Sequence, residues 1–198
     1  MRWGLPAAPV WIESDRLVLK SVQNRDFRAW AALRRASQDH LRPWEPAWPA
    51  HPHSREDWRA RMLIWRDLRL SGRGHIFHLW HKDSQALLGA VSFTNVQYPP
   101  ISTARIGYWL GVDYTGFGFM AEGVTAACKW AFKEWRLARI EAATLPENDA
   151  SQAVLRRAGF EREGFARSYL QICGERRDHV LFARIKDRKG TDRDHDQP

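Results

Sequence analysis

The stretch "VDYTGFGFMAEG", residues 112–123, decides the fold class because of what stands on either side of it. An apolar, strand-like run, "ARIGYWLGV" at 104–112, precedes it, and a helix-like run follows from 119 to about 135. Gly116 and Gly118 therefore stand where the free amides of a helix N-terminus emerge, and their missing side chains let an anion approach the backbone. From the residues alone two interpretations stay open: a tight turn that uses glycine for steric reasons, or a phosphate site.

The rest of the chain alternates between strand and helix patterns, so we expect a mixed α/β fold. Asn24 and Ser54 stand where helix caps are expected, and the prolines of "HLRPWEPAWPAHPH" predict an irregular, Trp-rich loop suited to recognition. Three consecutive strand patterns before the glycine loop predict an antiparallel meander. The strand patterns lie at 16–22, 75–81, 86–96, 104–112, 139–145, 161–173 and 176–185, and the helix patterns at 24–37, 54–72, 119–135 and 148–159.

The length of 198 residues and the composition, 44 % apolar and 27 % charged, fit one folded domain. We place that domain at 13–187, after an N-terminal extension at 1–12 and before a charged tail at 188–198 that is expected to be disordered. The start of the chain lacks the apolar core of a signal peptide, and nowhere do about 18 apolar residues run together as a membrane span requires. A cytoplasmic protein without a membrane partner is expected.

The formal charge of +8, from 31 Lys and Arg against 23 Asp and Glu, suits a partner or ligand rich in phosphate. A ribosome- or RNA-binding protein therefore stays open as an alternative to an enzyme. Cys128 and Cys173 are too few for a disulfide framework and are expected to be buried thiols. His75 and His81 alone share a face of the "HIFHLWH" strand, and their spacing matches no known zinc motif, so no metal site is expected.

A second stretch, "LPENDASQAVLRRAGF" at 145–160, leads from a strand into a helix. Asn148 and Ser151 lie at the start of that helix, where either side chain could be its N-cap. Their place beside the glycine loop also allows a role in a site, and the residues alone do not decide between these interpretations.

The order of these elements, with "YTGFGFMAEG" and "PENDASQAVLRRAGFEREG", resembles the GNAT family of N-acetyltransferases over about residues 13–185. The segments "HLRPWEPAW", "GAVSFTNV" and "RSYLQICGERRDHVLFA" are similar to the group of that family that acetylates the N-terminal alanine of ribosomal proteins. The resemblance implies a largely antiparallel mixed sheet of about seven strands flanked by about four helices. It also implies acetyl-CoA as co-substrate and transfer by direct attack in a ternary complex, without a metal.

The resemblance implies roles for individual residues. Backbone amides of the glycine loop would hold the pyrophosphate, the Leu110 N–H would face the thioester oxygen, and Ser151 would protonate the leaving thiolate. Asn148 would contact the cofactor arm and Arg156 the 3′-phosphate. The implied cofactor residues are Leu110, Val112, Thr115, Gly116, Phe117, Gly118, Phe119, Met120, Asn148 and Arg156, the catalytic ones Ser151, Asn148 and Leu110, and the substrate-binding ones Trp44, Glu45 and Tyr108.

The chain departs from the family pattern at three positions. Asp113 stands where the phosphate loop usually begins with Gln or Arg, and Arg105 and Leu170 stand where relatives carry a glutamate base. No side-chain base is assigned, and proton removal through water is expected. A protein α-amine has a pKa near 8, so roughly a tenth of it is neutral at pH 7, whereas a lysine at about 10.4 is neutral in less than one molecule in a thousand.

The resemblance implies the N-terminus of a ribosomal protein as the acceptor, and an enzyme for such α-amines can work without a strong base. Since a basic enzyme is repelled by a free basic protein, the expected target stands on a ribosomal particle that contains RNA. A homodimer is left open, as are three other acceptors on the same fold: a small amine, an antibiotic or a lysine.

Overall fold

The computed structural model describes residues 10–186, and these form one mixed sheet with helices on both faces. The order of the strands across the sheet is β1-β2-β3-β4-β5-β6-β8-β7. The strands are β1 (Trp11–Glu13), β2 (Leu17–Ser21), β3 (His75–His81), β4 (Leu87–Gln97), β5 (Thr103–Leu110), β6 (Arg139–Thr144), β7 (Glu161–Ile172) and β8 (Glu175–Ile185).

Five α-helices accompany the sheet within these residues, together with three short 3-10 turns. Helix α4 packs on one face of the sheet in the larger core, whereas α1 and α3 contribute to a second, Trp-rich core on the other face. The helices are α1 (Phe27–Ala36), α2 (Gln38–Leu41), α3 (Arg55–Leu70), α4 (Phe119–Glu134) and α5 (Asp149–Arg157), and the 3-10 turns are Asn24–Asp26, Arg42–Trp44 and Val112–Tyr114.

The predicted mixed α/β fold is confirmed, with one strand and one helix more than expected. The additional strand, β1, is only three residues long, too short for a pattern to reveal, and it crosses the predicted boundary between residues 12 and 13. It is fixed by Val10, which donates its N–H to the Ser21 hydroxyl at 2.8 Å and accepts the Ser21 N–H at 3.1 Å. The additional helix, α2, is a single turn. The predicted tail, 188–198, lies outside the described residues.

Strands β3 to β5 form the predicted antiparallel meander, which β1 and β2 extend, and within residues 10–186 the single parallel pairing joins β5 to β6. That pairing is short: it joins Thr103–Arg105 to Arg139–Glu141 and then stops. Strand β5 continues to Leu110 without β6, whereas β6 pairs with β8 along its whole length. The sheet is therefore split along its middle, and the split lies next to the glycine loop that follows β5.

Three local predictions are wrong. Asn24 does not cap α1, because its side-chain oxygen accepts the Trp58 indole N–H at 3.0 Å. The proline-rich segment is not wholly irregular, since α2 and a 3-10 turn occupy 38–44. Cys173 is exposed at the β7–β8 turn with φ of 50°, whereas Cys128 is buried as expected.

Candidate active site

The split between β5 and β6 leaves part of the β5 backbone without a neighbouring strand. The Gly111 N–H donates to the Leu88 carbonyl at 2.8 Å, which fixes the hydrogen-bonding side of this stretch toward β4. Because the bonding direction alternates along an antiparallel strand, the N–H and C=O groups of Tyr108 and Leu110 point the other way, into the split. An extended ligand can pair with these groups as an added strand does.

The glycine loop forms a second array of free backbone groups beside the split. Gly116 and Gly118 have φ of 84° and 80°, in the left-handed region, and Gly118 is the N-cap of α4. The first amide of the helix region with a backbone acceptor is that of Glu122, which donates to the Gly118 carbonyl at 3.1 Å. Within residues 10–186, the amides from 116 to 121 have no hydrogen-bond acceptor.

Both interpretations of the loop are therefore compatible. The glycines are needed for the turn, because positive φ is costly for other residues, and the turn exposes the amides at the positive end of the α4 dipole. A concave row of amides of this kind suits a phosphate group.

Ser151 and Asn148 lie at the start of α5, across the split from β5. The Asn148 side chain accepts the Ser151 N–H at 2.9 Å, so the expected cap is present. The Ser151 hydroxyl lies 2.9 Å from the Tyr108 hydroxyl, which also donates to the Ser151 carbonyl at 3.0 Å. Burial raises the pKa of Tyr108, partly opposed by Ser151, so Tyr108 stays protonated at neutral pH. Tyr108 can therefore act as a hydrogen-bond donor to Ser151 without losing its own proton.

Trp44 and Glu45 lie on the opposite face of β5. The Glu45 carboxylate accepts both Arg34 Nη atoms, at 2.6 and 2.5 Å, and the Trp48 indole N–H at 2.7 Å. The Arg34 guanidinium is buried between the rings of Trp48 and Trp109, 4.8 and 4.9 Å from their centres. Trp44 remains partly exposed at 36 %. Tyr108, the third predicted substrate residue, is not brought together with these two, because its hydroxyl lies on the Ser151 side.

A cleft of about 440 Å³ opens where β5 leaves β6. Arg105 and Leu170, the positions without the glutamate of relatives, both line it. The sequence analysis missed the carboxylates that line the same cleft, Glu141 and Glu163. Glu141 lies 3.9 Å from the Arg105 Nε and 2.9 Å from the Arg139 Nε, and the hydrogen bond with Arg139 lowers the pKa of Glu163.

The other predicted residues divide into exposed and buried groups. Leu110 is half-buried at the end of β5, and Val112, Thr115 and Phe117 are exposed on the loop. Phe119 is half-buried under the Arg16 guanidinium, and the Met120 side chain is in the core, so only its amide faces the loop. Arg156 is exposed on α5. Cys128 is no nucleophile, because burial raises its pKa to about 12.

Comparison with known proteins gives the family. The domain family described as "Acetyltransferase (GNAT) domain" matches residues 16–161. The chain belongs to the GNAT acetyltransferase family. GNAT enzymes take the acetyl group from acetyl-CoA, so this chain is an acetyl-CoA-dependent N-acetyltransferase.

Several GNAT relatives are similar over almost their whole length. The chain is 34 % identical to the [Ribosomal protein uS5]-alanine N-acetyltransferase of Escherichia coli, over 88 % of this chain and 90 % of that protein. The structure of the ribosomal-protein-S5-alanine acetyltransferase from Vibrio fischeri is 32 % identical with a TM-score of 0.82, covering 90 % of this chain and 97 % of that one. Mycobacterium smegmatis RimJ in complex with CoA-disulfide is also 32 % identical, with a TM-score of 0.81 and coverages of 90 % and 86 %.

Among residues 10–186 no helix is both long and apolar enough to cross a membrane.

Proposed function

We propose that this N-acetyltransferase transfers acetyl groups to the N-terminal α-amine of a ribosomal protein that begins with alanine or a similar small residue. The observation that carries the proposal is the similarity to the Escherichia coli enzyme, which spans about nine tenths of both chains. The shared fold alone does not determine the acceptor, so similarity of this length carries more weight than the fold does.

On the cofactor side, we propose that the loop from Thr115 to Met120 binds the diphosphate of acetyl-CoA through its free amides from Gly116 onward, since the Thr115 N–H already donates to the Val112 carbonyl at 3.2 Å. The pantetheine arm pairs with the free backbone edge of β5 between Tyr108 and Val112, and Asn148 contacts the arm while it caps α5. The exposed Arg156 meets the 3′-phosphate. Two features of the fold support this placement: the unpaired amides of the loop and the short β5–β6 pairing.

The chemical step follows from the same geometry. The neutral α-amine attacks the thioester carbonyl, and the Leu110 N–H stabilises the developing oxyanion in a split that holds the two reactants together. As the C–S bond breaks, Ser151 gives its proton to the thiolate while Tyr108 donates a hydrogen bond to the Ser151 oxygen. The proton lost from the amine passes to water in the cleft near Glu141, since no carboxylate there is free of an arginine partner. Water then returns to Ser151 the proton that the amine has lost.

On the acceptor side, we propose that Trp44 shields the reacting amine from water. Glu45 attracts the ammonium form of the substrate, although its carboxylate is already held by Arg34 and Trp48. The ammonium would therefore share this carboxylate with Arg34, because the ion pair has no net charge. The cleft carboxylates, Glu141 and Glu163, are likewise balanced by Arg105 and Arg139.

Mass spectrometry of two peptides tests the proposal. One peptide has a free N-terminal alanine and no lysine, and the other has a blocked N-terminus and one lysine. Acetylation of the first alone supports the proposal. Acetylation of the lysine peptide alone would contradict it, and transfer to neither, despite binding of CoA, would redirect the search to small amines or an RNA-bound target.

We further propose that the target is acetylated on a ribosomal particle. The chain has a net charge of +8, so it repels a free basic protein but is attracted to RNA. Faster acetylation of the particle than of the free protein at low salt, with the difference lost at high salt, supports this. Equal rates on both would contradict it.

A homodimer stays a prediction, which light scattering of the full chain tests.

A further inference from the structure

Arg16 lies in the turn before β2, and its side chain contacts the glycine loop. Its Nη1 donates to the Phe117 carbonyl at 3.1 Å, and its guanidinium carbon lies 4.5 Å from the centre of the Phe119 ring. Its Nη2 lies 3.7 Å from the place that a Cβ on Gly118 would take. The guanidinium therefore lies along the loop, beside the free amides.

Glu122, in the first turn of α4, holds Arg16 in this position. One carboxylate oxygen accepts the Arg16 Nε–H at 2.8 Å, and the other accepts the Arg16 backbone N–H at 2.8 Å and the Ser14 hydroxyl at 2.7 Å. Burial opposes ionisation of Glu122, but these hydrogen bonds outweigh it and lower its pKa. A charged carboxylate that accepts three hydrogen bonds fixes the arginine side chain before any ligand arrives.

Arg16 keeps donors for a ligand. Nε and Nη1 each use one N–H, so three of the five guanidinium N–H groups have no acceptor within the part of the chain that the structure describes. The side chain is 45 % exposed, so an anion in the loop can reach these donors. A planar guanidinium matches the geometry of a phosphate, and an arginine fixed in advance loses little entropy on binding.

We propose that Arg16 binds a phosphate of the acetyl-CoA diphosphate and supplies the positive charge that the loop itself lacks. The loop begins with Asp113, where an acidic side chain disfavours an anion, and Glu122 adds a second negative charge nearby. Arg16 is the cation that contacts the loop backbone. This inference rests on the proposed binding of the cofactor diphosphate by the loop.

The test measures the Kd of CoA by calorimetry for the full chain and three variants. Arg16→Gln should weaken binding about tenfold or more, the effect of losing a charged hydrogen bond. Arg73→Gln is the matched control, because Arg73 is an exposed arginine with a similar ion pair, to Asp67 at 2.8 Å, and should change Kd less than twofold. Glu122→Gln keeps the guanidinium but loosens it, so it should weaken CoA binding by less than Arg16→Gln does.

A second substrate separates direct contact from general damage to the loop. Acetyl-pantetheine lacks the diphosphate, so Arg16→Gln should leave its kcat/KM unchanged while it raises the KM of acetyl-CoA. The inference is overturned if Arg16→Gln binds CoA as wild type does, if it weakens both substrates equally, or if Glu122→Gln reproduces the whole loss. A wild-type protein that binds CoA but does not acetylate peptide N-termini would overturn the proposed acceptor and leave the role of Arg16 standing.

Discussion

The Tyr108 hydroxyl lies 2.9 Å from the Ser151 hydroxyl and 3.0 Å from the Ser151 carbonyl oxygen. This pair joins β5 to α5 across the split in the sheet. Since the carbonyl can only accept, one arrangement has Tyr108 donating to it while the Ser151 hydroxyl donates to Tyr108. When Ser151 gives up its proton, Tyr108 can turn its O–H to the serine oxygen, because its raised pKa keeps it protonated.

Ser151→Ala should lower kcat by about a hundredfold, the effect expected of a general acid, with little change in the KM of the peptide. Tyr108→Phe should lower kcat less, by about five- to tenfold, because it removes one hydrogen bond worth about 1 kcal/mol. Steady-state kinetics of thiol release measures both. A loss of less than about threefold for Ser151→Ala would remove the acid role.

Asn148 has two separable functions, the α5 cap and the proposed contact with the cofactor arm. Asn148→Ala should lower the free energy of unfolding by about 1 kcal/mol, since the cap to the Ser151 N–H is lost. Asn148→Ser keeps a capping oxygen on a shorter side chain, so it should unfold as wild type does while the KM of acetyl-CoA rises. If Asn148→Ser restores both stability and KM, the residue is only a cap.

Trp44→Ala should raise the KM of the peptide several-fold without changing the free energy of unfolding, because the side chain is partly exposed. Urea unfolding and peptide kinetics on the same preparation give the two numbers. A variant that is less stable but has an unchanged KM would make Trp44 a structural anchor for the Arg42–Trp44 turn.

Stability should fall in acid because of buried histidines. Burial lowers the pKa of His75 to about 4, with Arg69 adding to the effect, and its Nε2 lies 2.8 Å from the Ser21 hydroxyl. The unfolded chain binds this proton near pH 6.5 and the folded chain only near pH 4, so this contribution is complete above pH 6.5 and is lost as the pH falls to 4. The loss should reach roughly 3 kcal/mol.

Urea unfolding at pH 7 and pH 4.5 tests this contribution, with His75→Gln as the variant that cannot titrate. Wild type should lose more stability between the two pH values than the variant does. Burial also lowers the pKa values of His53 and His78. The free energy of unfolding should therefore still fall with pH in the variant, but less steeply than in wild type. Identical slopes for wild type and variant would contradict the assignment to His75.

The pH profile reports on the missing base. If water takes the proton and no side chain is needed, kcat/KM for an N-terminal alanine peptide should rise with pH and level off near 8, where the α-amine is neutral. Glu141→Gln should reduce the rate less than about tenfold and leave this profile in place. An additional acidic limb in the wild-type profile that disappears in the variant would identify Glu141 as a base.

The sequence predicted those parts of the site that depend on residues close together in the chain. The Gly116–Gly118 turn and the Asn148 cap follow from local rules, because positive φ and orphan amides at helix starts restrict the residue types there. The split between β5 and β6 is set by pairing over long distances, and no local pattern marks where it stops. Arg16 is likewise invisible, since about a hundred residues separate it from the loop that it contacts.

The acceptor side shows the same limit. Glu45 stands in "RPWEP" as an acidic residue on a loop, which suggests a carboxylate open to substrate. The structure instead gives it two hydrogen bonds from Arg34 and one from Trp48, because α1 places a buried arginine directly beside it. In the sequence, Arg34 lies among other charged residues of α1 and is expected to be exposed. Its burial depends on packing against Trp109, which is distant in the chain.

The central claim is that the acceptor is a protein N-terminus. In the most direct measurement, the protein is incubated at pH 7 with acetyl-CoA and one peptide. This peptide carries both a free N-terminal alanine and an internal lysine. Tandem mass spectrometry then locates the acetyl group. The account predicts acetylation at the N-terminal α-amine with the lysine unmodified, and acetylation at the lysine with a free N-terminus would contradict it.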